Sequence, residues 1–230
     1  DYAKAALGLE PAETALIPSP FDYKQQAIMY IPEGMPEPNS EAYAKAVTEQ
    51  VESLLRITGG RTMVLFTSYA LLFEVADMVN TDCRLLKQGE RDTFVLLEEF
   101  RQDPAAVLFG TYSFWQGIDL QGDCLKCVVI TKLPFAVPTE PVIEARMERM
   151  LSHGEDPFRE YQVPNAVMLF RQGFGRLIRS QGDRGVIAVL DTRIISKSYG
   201  RVFLSSLPEI EITADLKRVS SFYKEIDSPE

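Results

Sequence analysis

The feature that most limits how this chain can fold is a set of short, mainly apolar runs of strand length, broken in one case by Lys126. They are Thr62-Met63-Val64-Leu65-Phe66, Ala106-Val107-Leu108-Phe109, Leu125 to Ile130, and Val186-Ile187-Ala188-Val189-Leu190. A strand that is apolar at every position must be covered on both faces, as in a parallel sheet lying between helices. Stretches of helical period separate the runs. Ser40 caps a helix predicted to reach Arg56, with Ala44, Val47, Val51, Leu54 and Leu55 on one face. Further helices are predicted from Tyr69 to Val79, Asp92 to Gln102, Glu140 to Leu151, and Asp215 to Ile226. Pro164, suited to a first helical turn, opens another that runs to about Ser180. Gln26 to Ile31 and Arg84-Leu85-Leu86 read as weaker strands. Alternating strands and helices predict an α/β fold with a mainly parallel sheet, whose ligands bind at the carboxyl ends of strands.

Composition narrows the function. The chain has 230 residues, 46% of them hydrophobic and 25% charged, enough for a substantial core. No apolar run approaches the roughly 18 residues of a membrane span. Three cysteines (Cys83, Cys124, Cys127) cannot build a disulfide framework, which points to a reducing cytoplasm. A single histidine, His153, excludes His-rich metal sites and reads as a surface residue. With 24 basic and 33 acidic residues the net charge is −9, which argues against a protein that simply coats DNA. Residues 164–201 run the other way, with seven basic residues against Asp183 and Asp191. Such a focus can hold an anion locally, or it can be a solvated helix face.

The residues after each strand carry the chemistry. Thr67-Ser68-Tyr69 puts two hydroxyls and an aromatic at a helix start. Gly110-Thr111-Tyr112-Ser113-Phe114-Trp115-Gln116-Gly117-Ile118-Asp119 mixes hydroxyls, aromatics, glycines and a carboxylate. Hydroxyls and loop amides bind phosphates and aromatic rings stack on bases. The same residues also serve as helix caps and core aromatics. In Gln172-Gly173-Phe174-Gly175-Arg176-Leu177-Ile178-Arg179, helical spacing aligns Gln172, Arg176 and Arg179 on one face. Each interior helical glycine costs about 0.8–1.0 kcal/mol relative to alanine, so Gly173 and Gly175 imply that a ligand or another surface comes close.

Three familiar motifs fail. Gly173-x-Gly175 lacks the third glycine and the preceding strand of a dinucleotide fingerprint. Val186 to Asp191 ends like the acidic strand of a nucleotide hydrolase, yet no G-x-x-x-x-G-K-[ST] phosphate loop occurs. Asp191 therefore reads as a helix cap or a partner for Arg193. Cys124-x-x-Cys127 has half of a zinc spacing and reads as buried strand cysteines.

Taken together, the segments resemble the second RecA-like motor domain of the DinG/XPD branch of superfamily-2 DNA helicases. Thr62 to Tyr69 is similar to helicase motif IV, Ser113 to Asp119 to motif V, and Gln172 to Arg179 to motif VI, Q-x-x-G-R-x-x-R. Ser19-Pro20-Phe21-Asp22-Tyr23, Lys132-Leu133-Pro134-Phe135, Asp191-x-Arg193 and Gly200-Arg201 with Ser206-Leu207-Pro208 also resemble this branch. Gln116 stands where the branch usually has glutamate.

The resemblance implies a RecA-like three-layer sandwich over residues 17–230, with residues 1–16 as the tail of a preceding motor domain. It implies an excised C-terminal motor domain, inactive alone, whose ATP and Mg²⁺ are shared with that preceding domain. An iron–sulphur cluster would belong only there, since the three cysteines here do not match its positions. Arg179 would be the arginine finger, Arg176 a second γ-phosphate contact, and Gln172 a γ-phosphate sensor. Gly117, Asp119 and Gly175 would border the nucleotide. Thr67, Ser68, Tyr69, Thr111 and Ser113 would hold single-stranded DNA, and Trp115 would stack on a base or simply pack. The partners implied are single-stranded DNA and the N-terminal motor domain, with no membrane. A non-catalytic RecA-like module for single strands or a protein partner is the alternative.

Overall fold

The computed structural model describes residues 19–115 and 124–227, together with Lys4, Gly8, Glu13 and Ala15. Its centre is a seven-stranded sheet: β1 (Ala27–Tyr30), β2 (Thr62–Leu65), β3 (Arg84–Lys87), β4 (Ala106–Gly110), β5 (Cys127–Ile130), β6 (Gly185–Val189) and β7 (Glu211–Thr213). The spatial order is β3-β4-β2-β5-β6-β1-β7, and every pairing is parallel. All residues of β1, β2, β4, β5 and β6 are buried, as their unbroken apolar sequence requires.

The helices are α1 (Tyr23–Gln26), α2 (Tyr43–Thr58), α3 (Tyr69–Met78), α4 (Thr93–Gln102), α5 (Tyr112–Trp115), α6 (Pro141–Ser152), α7 (Val163–Phe174), α8 (Arg193–Ser196), α9 (Gly200–Ser205) and α10 (Leu216–Asp227). Alternate strand residues feed two separate cores. Ile28, Val64, Phe66, Val107, Val129 and Ala188 pack with Val47, Val51 and Leu54 of α2, Leu72 and Val75 of α3, and Val219 of α10. On the other face Met29, Met63, Leu65, Leu108, Ile130 and Ile187 meet Phe100 of α4, Phe114 and Trp115 of α5, Phe170 of α7 and Phe203 of α9. At roughly 1.5–3 kcal/mol for each large apolar side chain, burial on both faces fixes the three-layer order.

Some local expectations change. Ser40 does not cap α2; its hydroxyl donates to the Glu37 carbonyl at 2.8 Å, inside a turn that delays the helix until Tyr43. The segment from Pro164 to Ser180 is not one helix, because α7 ends at Phe174. A single π-turn, Phe158–Gln162, leads into α7. The strand β7 lies at the sheet edge, held by pairing with β1 rather than by an apolar run of its own.

Candidate functional site

Parallel strands deliver the loops after β2, β3 and β4 to one edge of the sheet. After β2, Ser68 is extended and its Oγ accepts from the Leu71 backbone N–H at 3.3 Å, capping α3. Thr67 is half-buried, while Ser68 and Tyr69 are exposed. The rings of Tyr69 and Phe73, one turn apart on α3, stack with centroids 6.0 Å apart. Beneath them Gly89 adopts φ +100°, and a Cβ there would sit 3.5 Å from the Phe73 ring. Glycine is the residue that holds such a backbone without strain.

After β4, the hydroxyl residues are tied to a side chain that sequence reasoning missed. Gln88, the residue following β3, is 8% exposed. Its Oε1 accepts from the Thr111 N–H at 2.6 Å and the Thr111 hydroxyl at 2.9 Å. Its Nε2 donates to the Tyr69 hydroxyl at 2.7 Å and the Ser113 hydroxyl at 2.8 Å. A lone glutamine beside a weak strand carries no motif; its position just past a strand end was the one available signal. Ser113 is exposed, but Thr111 is buried with both its donors taken by Gln88. The expectation that Thr111 touches a nucleic-acid strand directly is corrected: it supports the edge from behind.

Trp115 has no exposed surface. Its Nε1–H points to the Phe66 carbonyl at 3.4 Å, and two of its ring carbons lie 3.0 Å from where a Cβ of Gly173 would be. A ring covered on all sides has no face for a base, so the stacking expectation for Trp115 gives way to packing. The close approach implied by Gly173 is real, and the approaching surface is this indole.

The Gln172 to Arg179 segment straddles a helix end. Gly175 caps α7, its N–H donating to the Arg171 carbonyl at 2.8 Å. The Arg176 and Leu177 N–H groups then donate three residues back, to the Gly173 and Phe174 carbonyls, both at 3.2 Å. The Asp183 carboxylate accepts the N–H groups of Arg179 and Ser180, each at 2.7 Å, and holds the chain in a turn. Side-chain acceptors of this kind compete with the helical ladder. Leu177 and Ile178, each 2% exposed, anchor the turn in the core. The shared helical face expected for Gln172, Arg176 and Arg179 is therefore replaced by an exposed Gln172 on the last turn of α7, with two half-buried arginines on the turn beyond. One Arg176 Nη donates to the Trp115 carbonyl at 2.7 Å, joining this turn to α5. Gly175 is exposed, and among the described residues only the Arg171 and Gln172 carbonyls come within 4 Å of a Cβ built there. Gly117 and Asp119 lie outside the described residues.

A second knot ties the ends of β5 and β6. Asp191 is fully buried; it accepts from the Leu133 N–H at 2.8 Å and pairs with the Arg193 guanidinium at 2.6 Å. It also accepts the Arg193 N–H at 3.1 Å; the N-cap of α8 is Thr192, so of the two sequence readings of Asp191 the partner for Arg193 is the one the structure shows. Arg193 lies 5.7 Å from the centre of the Phe135 ring, which packs with Phe158, Tyr199 and Phe203. Cys124 and Cys127 pack on opposite faces of the sheet, so they cannot ligate one ion. Burial pushes the Cys127 thiol up to about 12, against a smaller downward pull from its hydrogen bond with Thr62. Among the described residues, no three metal-ligating side chains converge, and no helix is long and apolar enough to cross a membrane. His153 is exposed, its Nδ1 2.7 Å from the Arg149 carbonyl.

The parallel sheet between two helical layers is a RecA-like α/β fold. Residues 51–210 match the Helicase C-terminal domain family, and the chain belongs to that family. It is 40% identical over 218 residues to the ATP-dependent DNA helicase YoaA of Escherichia coli, covering 94% of this chain and 34% of that protein. It is 39% identical over 201 residues to the ATP-dependent DNA helicase DinG of Photobacterium profundum, covering 83% of this chain and 29% of that protein. The chain thus spans about a third of the length of these curated relatives. Among solved structures an XPD helicase superposes with a TM-score of 0.61 at 16% identity, over 82% of this chain and 36% of that one. Dbp5 from S. cerevisiae, bound to RNA and ADP BeF3, gives a TM-score of 0.53 at 18% identity, over 98% of this chain and 51% of that one.

Proposed function

We propose that this chain is the C-terminal motor domain of an ATP-dependent 5′-to-3′ DNA helicase. In that enzyme it completes an ATP site carried mainly by a preceding motor domain and grips one DNA strand. The observation that carries this reading is the junction of α5 with the turn after α7, where Arg176 meets the Trp115 carbonyl at 2.7 Å. Through that contact, arginines suited to an anion are mechanically tied to the loop that leads from the hydroxyl-lined edge.

The chemistry follows from these groups. Bound ATP with Mg²⁺ supplies the terminal phosphoryl group that passes to water. Arg179 and Arg176 lie across the cleft and stabilise the charge that builds on that group. Arg176 is oriented in advance by its backbone contact. Gln172, exposed beside them, senses the γ-phosphate. Gly175, exposed and without a side chain, lets the nucleotide approach closely, and Gly117 and Asp119 couple it to the DNA. Thr67, Ser68, Tyr69 and Ser113 hold the phosphates of one strand, and the exposed Tyr69–Phe73 pair offers a surface for bases. Opening and closing of the cleft then advances the strand.

Arginine fingers are worth about 10³–10⁵ in turnover. Replacing Arg179 by Ala in the two-domain enzyme is therefore expected to lower DNA-stimulated ATP hydrolysis by about 10³ or more while sparing most DNA binding. Near-normal turnover in that variant rejects the assignment.

A further inference from the structure

The Gln88 carboxamide is fully used, and its orientation is fixed by its neighbours. A backbone N–H can only donate, so the atom 2.6 Å from the Thr111 nitrogen must be the amide oxygen. The same oxygen takes the Thr111 hydroxyl proton. The amide nitrogen then necessarily faces Tyr69 and Ser113, and its two hydrogens go one to each hydroxyl oxygen. A hydroxyl that accepts from inside has its own proton left to aim elsewhere. Tyr69 is 46% exposed and Ser113 is exposed, so both protons are available to an acceptor arriving from solvent.

We propose that Gln88 is a positioning residue that sets the hydrogen-bond polarity of this edge, turning Tyr69 and Ser113 into an outward-facing donor pair for a backbone phosphate of a single strand. The inference rests on the helicase reading above and adds to it a residue that touches no ligand. Three strand-end loops contribute: the loop after β2 gives Tyr69, the loop after β3 gives Gln88, and the loop after β4 gives Thr111 and Ser113. The chain of cause runs from the Thr111 backbone, through the amide, to two side chains on different elements. A phosphate oxygen is acceptor-only, so it complements two convergent donors and would be repelled by two acceptors.

Gln88→Glu tests this with almost no change in shape. Ionised glutamate keeps both Thr111 bonds, but its other oxygen can only accept. Tyr69 and Ser113 must then turn their protons inward, and a negative charge sits behind them. In the two-domain enzyme, the dissociation constant for fluorescein-labelled oligothymidylate is expected to rise about tenfold or more. The DNA concentration for half-maximal ATP hydrolysis should rise in step, with kcat at saturating DNA and the melting temperature close to wild type. A double variant, Tyr69→Phe with Ser113→Ala, removes the two protons without touching Gln88 and should lose affinity comparably. Wild-type affinity in either variant overturns the inference, as does a Gln88→Glu enzyme that loses kcat and thermal stability together. A wild-type enzyme that does not bind oligothymidylate overturns the helicase reading itself, and the inference with it.

Discussion

A methyl group added at Gly173 would meet two carbons of the buried Trp115 ring at 3.0 Å. Alanine gains about 0.8–1.0 kcal/mol in helix propensity, but overpacking a filled core costs roughly 1–3 kcal/mol. The indole has little room to yield, since it is fully buried and its Nε1–H faces the Phe66 carbonyl. Gly173→Ala is therefore expected to destabilise the chain by about 1 kcal/mol net, read from the urea midpoint. Gly175→Ala should stay within about 0.5 kcal/mol of wild type, because its φ of −67° suits any residue and, among the described residues, an added Cβ meets only the Arg171 and Gln172 carbonyls, at 3.2 and 3.8 Å. A larger loss at Gly175 than at Gly173 would contradict this account of the two glycines. The sequence revealed that both positions were unusual. It did not reveal that they differ, because the partner of Gly173 lies 58 residues upstream on another element.

The elements most legible in the sequence were those whose own residues decide them. Strands β2, β4, β5 and β6 are apolar throughout and came out within a residue or two of their runs, as did α3, α4, α6 and α10. Elements decided by a distant partner were not legible. The edge strand β7 forms on β1, and the turn beyond α7 is held by Asp183, which accepts the Arg179 and Ser180 amides. The candidate site divides the same way. The hydroxyls and arginines were recognisable as types, whereas Gln88, which organises the edge, has meaning only in three dimensions. A parallel case is Asp191, which joins the Leu133 loop after β5 to Arg193 after β6. Asp191→Ala would strand the Leu133 N–H and a half-buried guanidinium, so a loss of roughly 2–4 kcal/mol is expected, with the exposure of Arg193 placing it below a fully buried pair. Urea denaturation checks this. A change under about 1 kcal/mol would show that the two loops hold without the bridge.

At the scale of the whole molecule, a parallel sheet with two covered faces leaves the strand-end edge as the place for ligands. That edge offers hydroxyls, an aromatic pair and, across α5, two arginines. The sequence contains no phosphate-loop lysine to hold a nucleotide's phosphates. The same chain is net acidic, with −9 overall, so the nucleic-acid binding proposed for it would depend on the placed groups and on the basic stretch at residues 164–201 rather than on bulk charge. An incomplete ATP site is the central claim, and complementation tests it most directly. DNA-stimulated ATP hydrolysis should be measured for this chain, for the phosphate-loop motor domain, and for the two joined. The account predicts turnover from the joined protein and none from this chain. Mg²⁺-dependent hydrolysis by these 230 residues alone would contradict it.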